Sequence, residues 1–273
     1  QQMCQRFQNH ADLDRYQCTI EEREEYEPHL DDGYIVYAGV DYQLILEEAE
    51  KEGDVILWDG GNNDIPFYYP DLHITLVDPH RPGDEISYHP GTTNLKMADI
   101  VIINKIETSS LKNVQTVRKN IKKYNPEAKV VDAASPIHIE GSNLIKNARV
   151  LVIEDGPTLT HGNMAYGAGT IGAEKYGAKE FIDPKPYAVG SIEKTFKEHP
   201  HLTNVLPAMG YSKIQLKELE ETIERTEADV VVIGTPIDLR KVIDINKPTV
   251  RIHYELQEIG EPNLKQILKK YFK

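Results

Sequence analysis

Short, unbroken apolar runs alternate with stretches of helical periodicity along the 273 residues of the chain. The runs are 34–40 (YIVYAGV), 54–59 (DVILWD), 72–78 (LHITLVD), 99–105 (DIVIINK) and 128–134 (AKVVDAA). They continue with 149–155 (RVLVIED), 179–184 (KEFIDP), 229–235 (DVVVIGT) and 249–255 (TVRIHYE). Continuous apolar runs, unlike strict polar–apolar alternation, predict strands covered on both faces, as in a parallel sheet. Segments 42–52, 110–124, 213–226 and 262–271 read as helices, the second stopping before Pro126. The alternation predicts an α/β fold with a mostly parallel sheet flanked by helices. A change of character at 141–148 divides the chain into an expected region 1–147 and a region 148–273, the latter either separate or continuous with the same sheet. The charged stretch 18–33 (CTIEEREEYEPHLDDG) predicts an acidic helix, with Thr19 and Glu22 as a capping box and Pro28 as its end.

Charge narrows the functional classes. With 44 acidic against 31 basic residues and a net charge of −13, a broad nucleic-acid face is not expected, because such faces need clustered Lys and Arg. No apolar run approaches the roughly 18 residues of a membrane span. The first ten residues carry neither a basic start nor an apolar stretch, so a cytoplasmic location is expected. Cys4 and Cys18 are too few for a disulfide framework and lack the spacing of a zinc site.

In open parallel sheets, ligands gather at the carboxyl ends of strands, so chemistry is sought there. The run 54–59 ends in Asp59, Gly60, Gly61, Asn62, Asn63 and Asp64. A carboxylate at such a position suits Mg²⁺, which takes hard oxygen ligands beside phosphate. The two glycines permit close backbone approach. The alternative is a glycine turn with Asx caps. Asp78, His80 and Arg81 follow the next run, in a long polar loop where Arg81 suits bidentate phosphate contact. The run 99–105 leads into Asn104, Lys105 and Glu107. These resemble the N-K-x-D element that frames a guanine base, with Glu one methylene longer than Asp. Ser135 follows the next run, where such proteins carry a second loop against the base. The sequence GAGTIG (167–172) matches the dinucleotide fingerprint, yet no strand leads directly into it and its acidic partner is misplaced. It reads instead as a glycine-rich anion cradle opening a helix, with Asp155, His161, Gly167 and Gly169 as contacts. A G-x-x-x-x-G-K-[ST] phosphate loop occurs nowhere in the chain.

The blocks WDGGNND, DPHRPGDEISYHPGTTNLKMADIVIINKIET, EDGPTLTHGNMAYGAG, DPKPYAVGSI and GTPIDLRKVIDINKPTVR resemble the cyclic 2,3-diphosphoglycerate synthetase family, which includes sequences described as GTPases. The resemblance implies a P-loop NTPase-like fold whose phosphate loop precedes the region matched here, so the chain is expected to be the remainder of a longer protein. It implies Mg²⁺- and ATP- or GTP-dependent phosphoryl transfer to a small phosphorylated metabolite, with cyclisation of 2,3-bisphosphoglycerate as the type reaction. Asp59 would hold the metal. Gly60, Gly61 and Asn62 would approach the nucleotide phosphates, and Asn104, Lys105, Glu107 and Ser135 would hold its base. His80, Arg81 and His161 would act on the transferred phosphoryl group. Asn63, Asp64, Asp155, Gly167 and Gly169 would face the acceptor, with the acidic stretch 21–27 shaping its site. Glu107 departs from the family's usual Asp, which leaves ATP and GTP both open. A regulatory GTPase-like protein with a protein partner is the alternative. An exposed sheet edge is expected, and with it a homodimer.

Overall fold

The computed structural model describes residues 2–61, 64–139, 141–160, 165–209 and 212–271. In chain order these form β1 (Gln5–Phe7), α1 (His10–Arg15), α2 (Ile20–Asp31), β2 (Val36–Ala38) and α3 (Tyr42–Ala49). Next come β3 (Ile74–Val77), α4 (Asp84–Ser87), α5 (Gly91–Met97), β4 (Ile100–Ile103), α6 (Leu111–Tyr124), β5 (Lys129–Ala134) and β6 (Ile137–Ile139). Then follow β7 (Arg149–Asp155), α7 (Gly156–Thr160), α8 (Ala168–Lys175), β8 (Glu180–Phe181), α9 (Gly190–Glu198) and β9 (Val205–Ala208). The chain continues through α10 (Lys213–Arg225), β10 (Val230–Gly234), β11 (Thr249–Tyr254), β12 (Gln257–Ile259) and α11 (Leu264–Leu268).

The chain divides into two compact units, each discontinuous in sequence. Neither unit follows chain order: Gln1–Glu48 groups with Ile137–Tyr254, and Glu255–Lys273 with Ala49–Pro136.

In the first unit the strands run in the order β6-β11-β10-β7-β8, and β9 also pairs with β7. All these pairings are parallel except β6 with β11. β7 and β10 are buried along nearly their whole length, as unbroken apolar runs require. One face packs Leu151, Ile153, Val231 and Ile233 with Ile192 and Phe196 of α9 and Leu219 and Ile223 of α10. The other packs Val150, Val152, Val232 and Ile252 with Ala173 of α8. A two-stranded antiparallel ribbon of β1 and β2 covers a small cluster of Phe7, Leu13 and Leu30. In the second unit the order is β12-β5-β4-β3, with β3, β4 and β5 parallel and β12 antiparallel. Helix α6 starts where the Ser110 side chain accepts from the Asn113 N–H, and buries Val114, Val117 and Ile121 at helical spacing.

The α/β class and the parallel core are thus as expected, without the topology identifying a P-loop subclass. Three local expectations are corrected. The run 34–40 yields only β2, half-buried and antiparallel to β1, and is no strand of the parallel sheet. Residues 54–59 form no strand. Val55 is 51% exposed and Leu57 83%, and no described strand pairs with the run, so its apolar character has no ladder to join. Pro28 does not end α2 but lies inside it. The capping box of Thr19 and Glu22 is present. Beyond Pro28, Leu30 buries against Phe7 and Leu13, and the Tyr34 N–H bonds back to the His29 carbonyl. Burial holds the last turn despite the bond that proline removes.

Candidate functional site

The carboxyl ends of β3, β4 and β5 bring the expected nucleotide residues together. β3 ends at Val77 and passes directly into Asp78. One Asp78 carboxylate oxygen accepts from the Lys105 ammonium at 2.9 Å, and the other from the His80 backbone N–H at 2.8 Å. Burial pushes this carboxyl up, but the bonds and charges of Lys105 and His80 outweigh it and hold it below the ordinary aspartate range. The turn after β4 is laced to both neighbouring strands. The Asn104 N–H donates to the Val77 carbonyl, and the Ile106 N–H to the Ala133 carbonyl. The Asn104 side chain accepts from the Lys105 N–H at 2.9 Å, which supports Lys105 in the left-handed region at φ 57°. Glu107 reaches across to the end of β5, where its carboxylate accepts from the Ser135 N–H at 2.9 Å. The Thr108 hydroxyl donates to the Lys105 carbonyl, so it accepts from Nε2 of His80 at 2.8 Å.

Asp78, His80, Asn104, Lys105, Glu107 and Ser135 therefore form one hydrogen-bonded lip. The sequence pointed to the members of this lip, although the Lys105–Asp78 ion pair carried no sequence signal of its own. Arg81 is exposed in the same loop, with its N–H on the Asp78 carbonyl. Asp59 is exposed in the irregular 54–61 segment, not at the end of a strand. Asp64 folds back so that its side chain accepts from the Gly61 N–H and its carbonyl from the Asn94 amide. Asn62, Asn63 and His161 lie outside the described residues. Among the described residues no group of three or more His, Cys, Asp or Glu is gathered as for a metal ion. Mg²⁺ needs only one or two protein carboxylates beside phosphate and water, and the exposed carboxylate of Asp59 is of that kind.

The glycine-rich cradle has another occupant. Glu154, the penultimate residue of β7, is 1% exposed. Its Oε1 accepts from the Gly167 N–H at 3.0 Å, the Thr170 N–H at 2.7 Å and the Thr170 hydroxyl at 2.9 Å. Its Oε2 accepts from the Gly169 N–H at 3.1 Å. The amino end of α8, a natural anion site, thus holds the protein's own carboxylate. Burial pushes the Glu154 carboxyl above the ordinary glutamate range against the pull of these four donors. A Cβ at Gly167 or Gly234 would stand 2.6 or 2.5 Å from Oε2, and one at Gly169 3.1 Å from Oε1. The glycines expected to approach a ligand are glycines because they enclose Glu154. Sequence reasoning missed Glu154; the only signal was an acidic residue following an unbroken apolar run. Asp155 follows it, half-exposed, at the carboxyl end of β7.

No model of a protein family matches the chain. The arginine synthetase ArcE of Thermococcus kodakarensis is 62% identical over 272 residues, which is 100% of this chain and 61% of that protein. The cyclic 2,3-diphosphoglycerate synthetase of Methanosphaera stadtmanae is 21% identical over 229 residues, covering 81% of this chain and 48% of its own length. That of Thermococcus sibiricus is 28% identical over 86 residues, 31% of this chain and 20% of its own. The chain therefore spans less than two thirds of the curated relatives it is similar to, and each of those relatives is named as a synthetase.

Proposed function

We propose that this chain is part of a nucleotide-dependent synthetase, and that the lip of β3, β4 and β5 holds the purine nucleotide. The observation supporting this reading is the Glu107–Ser135 bond beside Asn104 and Lys105, in an order and at strand ends where a base-binding loop pair is expected. Asn104 and the Lys105 stem would flank the base, and Glu107 would accept from its edge. The triphosphate, with Mg²⁺, supplies the driving force by phosphoryl transfer. Asp59 would contribute the metal's carboxylate, and His80 and Arg81 would steady the transferred group. Asp155 would face the acceptor. Gly167 and Gly169 would shape that region by enclosing Glu154, their N–H groups being already engaged.

Two substrate readings compete. Identity of 62% along the whole chain to an arginine synthetase favours arginine as the product. The blocks shared with the diphosphoglycerate family favour cyclisation of 2,3-bisphosphoglycerate. The regulatory GTPase reading has no observation of its own in support. The deciding experiment measures nucleotide turnover by the longer protein that carries this chain. ATP hydrolysed to ADP and phosphate in step with L-arginine appearing from a ureido precursor and ammonia supports the first reading. Turnover stimulated by 2,3-bisphosphoglycerate with a cyclic product supports the second. Slow GTP hydrolysis indifferent to both compounds would overturn the synthetase proposal.

A further inference from the structure

The carboxyl end of the first unit's sheet carries a second cluster, one that no motif in the chain announces. In the antiparallel pairing of β6 with β11, His138 stands opposite His253, with Ile139 opposite Ile252. The two imidazoles stack with centroids 5.6 Å apart and planes 23° from parallel. Ile137, Ile139, Val250 and Ile252 all turn into the core beneath α8. Strand alternation therefore places His138, His253 and Arg251 together on the opposite face. Arg251 is anchored by one bond, from Nη2 to the Pro236 carbonyl at 2.6 Å, and its buried Nε has no hydrogen-bond partner among the described residues.

Asp238 is a carboxylate that Arg251 acts on through space, and it is already matched. Nε and Nη2 of Arg240 grip its two oxygens at 2.8 and 2.6 Å. Burial pushes the Asp238 carboxyl up, and the bonds and charge of Arg240, with a further contribution from the charge of Arg251, bring it down overall. Arg251 thus acts on Asp238 only through space. Among the described residues its guanidinium is bonded to a carbonyl and to no carboxylate, in a chain whose net charge is −13. An unmatched guanidinium beside two imidazoles, at the strand ends where parallel sheets bind ligands, is arranged for negative charge.

We propose that Arg251, His253 and His138 form an oxyanion-binding subsite that takes the phosphoryl or carboxylate group of a small metabolite. Arg251 supplies the charge and planar donors, and the imidazoles supply N–H donors from one side. The assignment is independent of the nucleotide reading, because it concerns the other unit's sheet and is tested by binding alone.

The test follows the imidazole resonances of the intact chain by NMR while inorganic phosphate or sodium acetate is added at constant ionic strength. Saturable shifts of both His138 and His253 are expected. Saturation with phosphate assigns the subsite to phosphoryl groups, and saturation with acetate alone assigns it to carboxylates. Arg251→Met should weaken the effective ligand about tenfold, the scale of one charged hydrogen bond. Arg251 also anchors the Pro236 carbonyl, so a second variant, His138→Asn, changes an exposed side chain on β6 and should weaken binding with an unchanged melting temperature. Shifts that grow linearly with salt, or affinity equal to wild type in the correctly folded His138→Asn chain, would overturn the proposal.

Discussion

Glu154 shows how one side chain fixes the use of a whole segment. Four donors converge on its two oxygens, and at the amino end of α8 they also meet the positive end of the helix dipole. In Glu154→Gln only one oxygen remains, and an amide N–H then faces a backbone donor. An unsatisfied buried donor costs about 1–3 kcal/mol, so denaturant titration of this variant should show a loss of that size; an unchanged midpoint would refute the lock. Asp78 gives a prediction of opposite linkage. Its folded-state pKa is depressed through Lys105 and His80, so its contribution is complete above the unfolded value, about 3.9, and is lost as pH falls through the lower folded value. Stability measured between about pH 5 and 2, the acid limb of a carboxylate, should fall less steeply in Asp78→Asn than in wild type. Identical slopes would mean the Lys105 bond does not persist in solution. Glu107 tests the base pocket. If it accepts from guanine, Glu107→Ala in the longer protein weakens GTP about tenfold relative to ATP. Equal losses for the two nucleotides would remove Glu107 from the base edge.

At the scale of elements, the first unit depends on close approach between β10 and α8. A Cβ at Gly234 would lie 2.5 Å from Glu154 Oε2 and 2.7 Å from the Gly169 backbone nitrogen. The second contact is with backbone, which cannot rotate away. Gly234→Ala should therefore destabilise the chain by about 1–3 kcal/mol, in the range of core overpacking, whereas Gly177→Ala meets no atom within 4 Å and carries only the strain of φ 80°. Comparing the two melts separates steric exclusion from backbone conformation; equal losses would show that the β10–α8 contact yields. The second unit shows the reverse problem. Residues 54–59 have the composition of a buried strand and form none, while Ile74 and Leu76 of β3 are 36% and 44% exposed. An apolar run becomes a strand only where a ladder accepts its backbone groups.

For the whole molecule, the absence of a G-x-x-x-x-G-K-[ST] loop from these 273 residues carries the main prediction. Phosphoryl transfer in P-loop enzymes depends on the backbone and Lys of that loop, and the glycine-rich cradle at Gly167–Thr170 is filled by Glu154. The purified chain should show no NTP turnover on its own. Hydrolysis at about 1 per second or faster, an ordinary enzyme rate, would mean that the chain holds its own phosphate cradle and would remove the basis for a divided site. No helix among the described residues is long and apolar enough to cross a membrane. The expected homodimer stays a proposal, checked by sedimentation of the same preparation.

The α/β class, the parallel core strands β4, β5, β7, β10 and β11, and the helices α6 and α10 were legible in the chain because burial on two faces and on one helical stripe leaves distinct periodicities. Asn104, Lys105, Glu107 and Ser135 were legible because strand ends are where a parallel sheet presents side chains. The short strands β1, β6, β9 and β12 were not, since three or four residues carry too little pattern to stand out and are strands only through their partners. Tertiary structure alone decided that 54–59 stays irregular, that Pro28 sits within a helix, and that Glu154 fills the glycine cradle. It also decided that His138 and His253 meet, because their separation along the chain is closed only by strand pairing. Periodicity records which way a residue faces; which residue it faces depends on long-range contacts that no local pattern encodes.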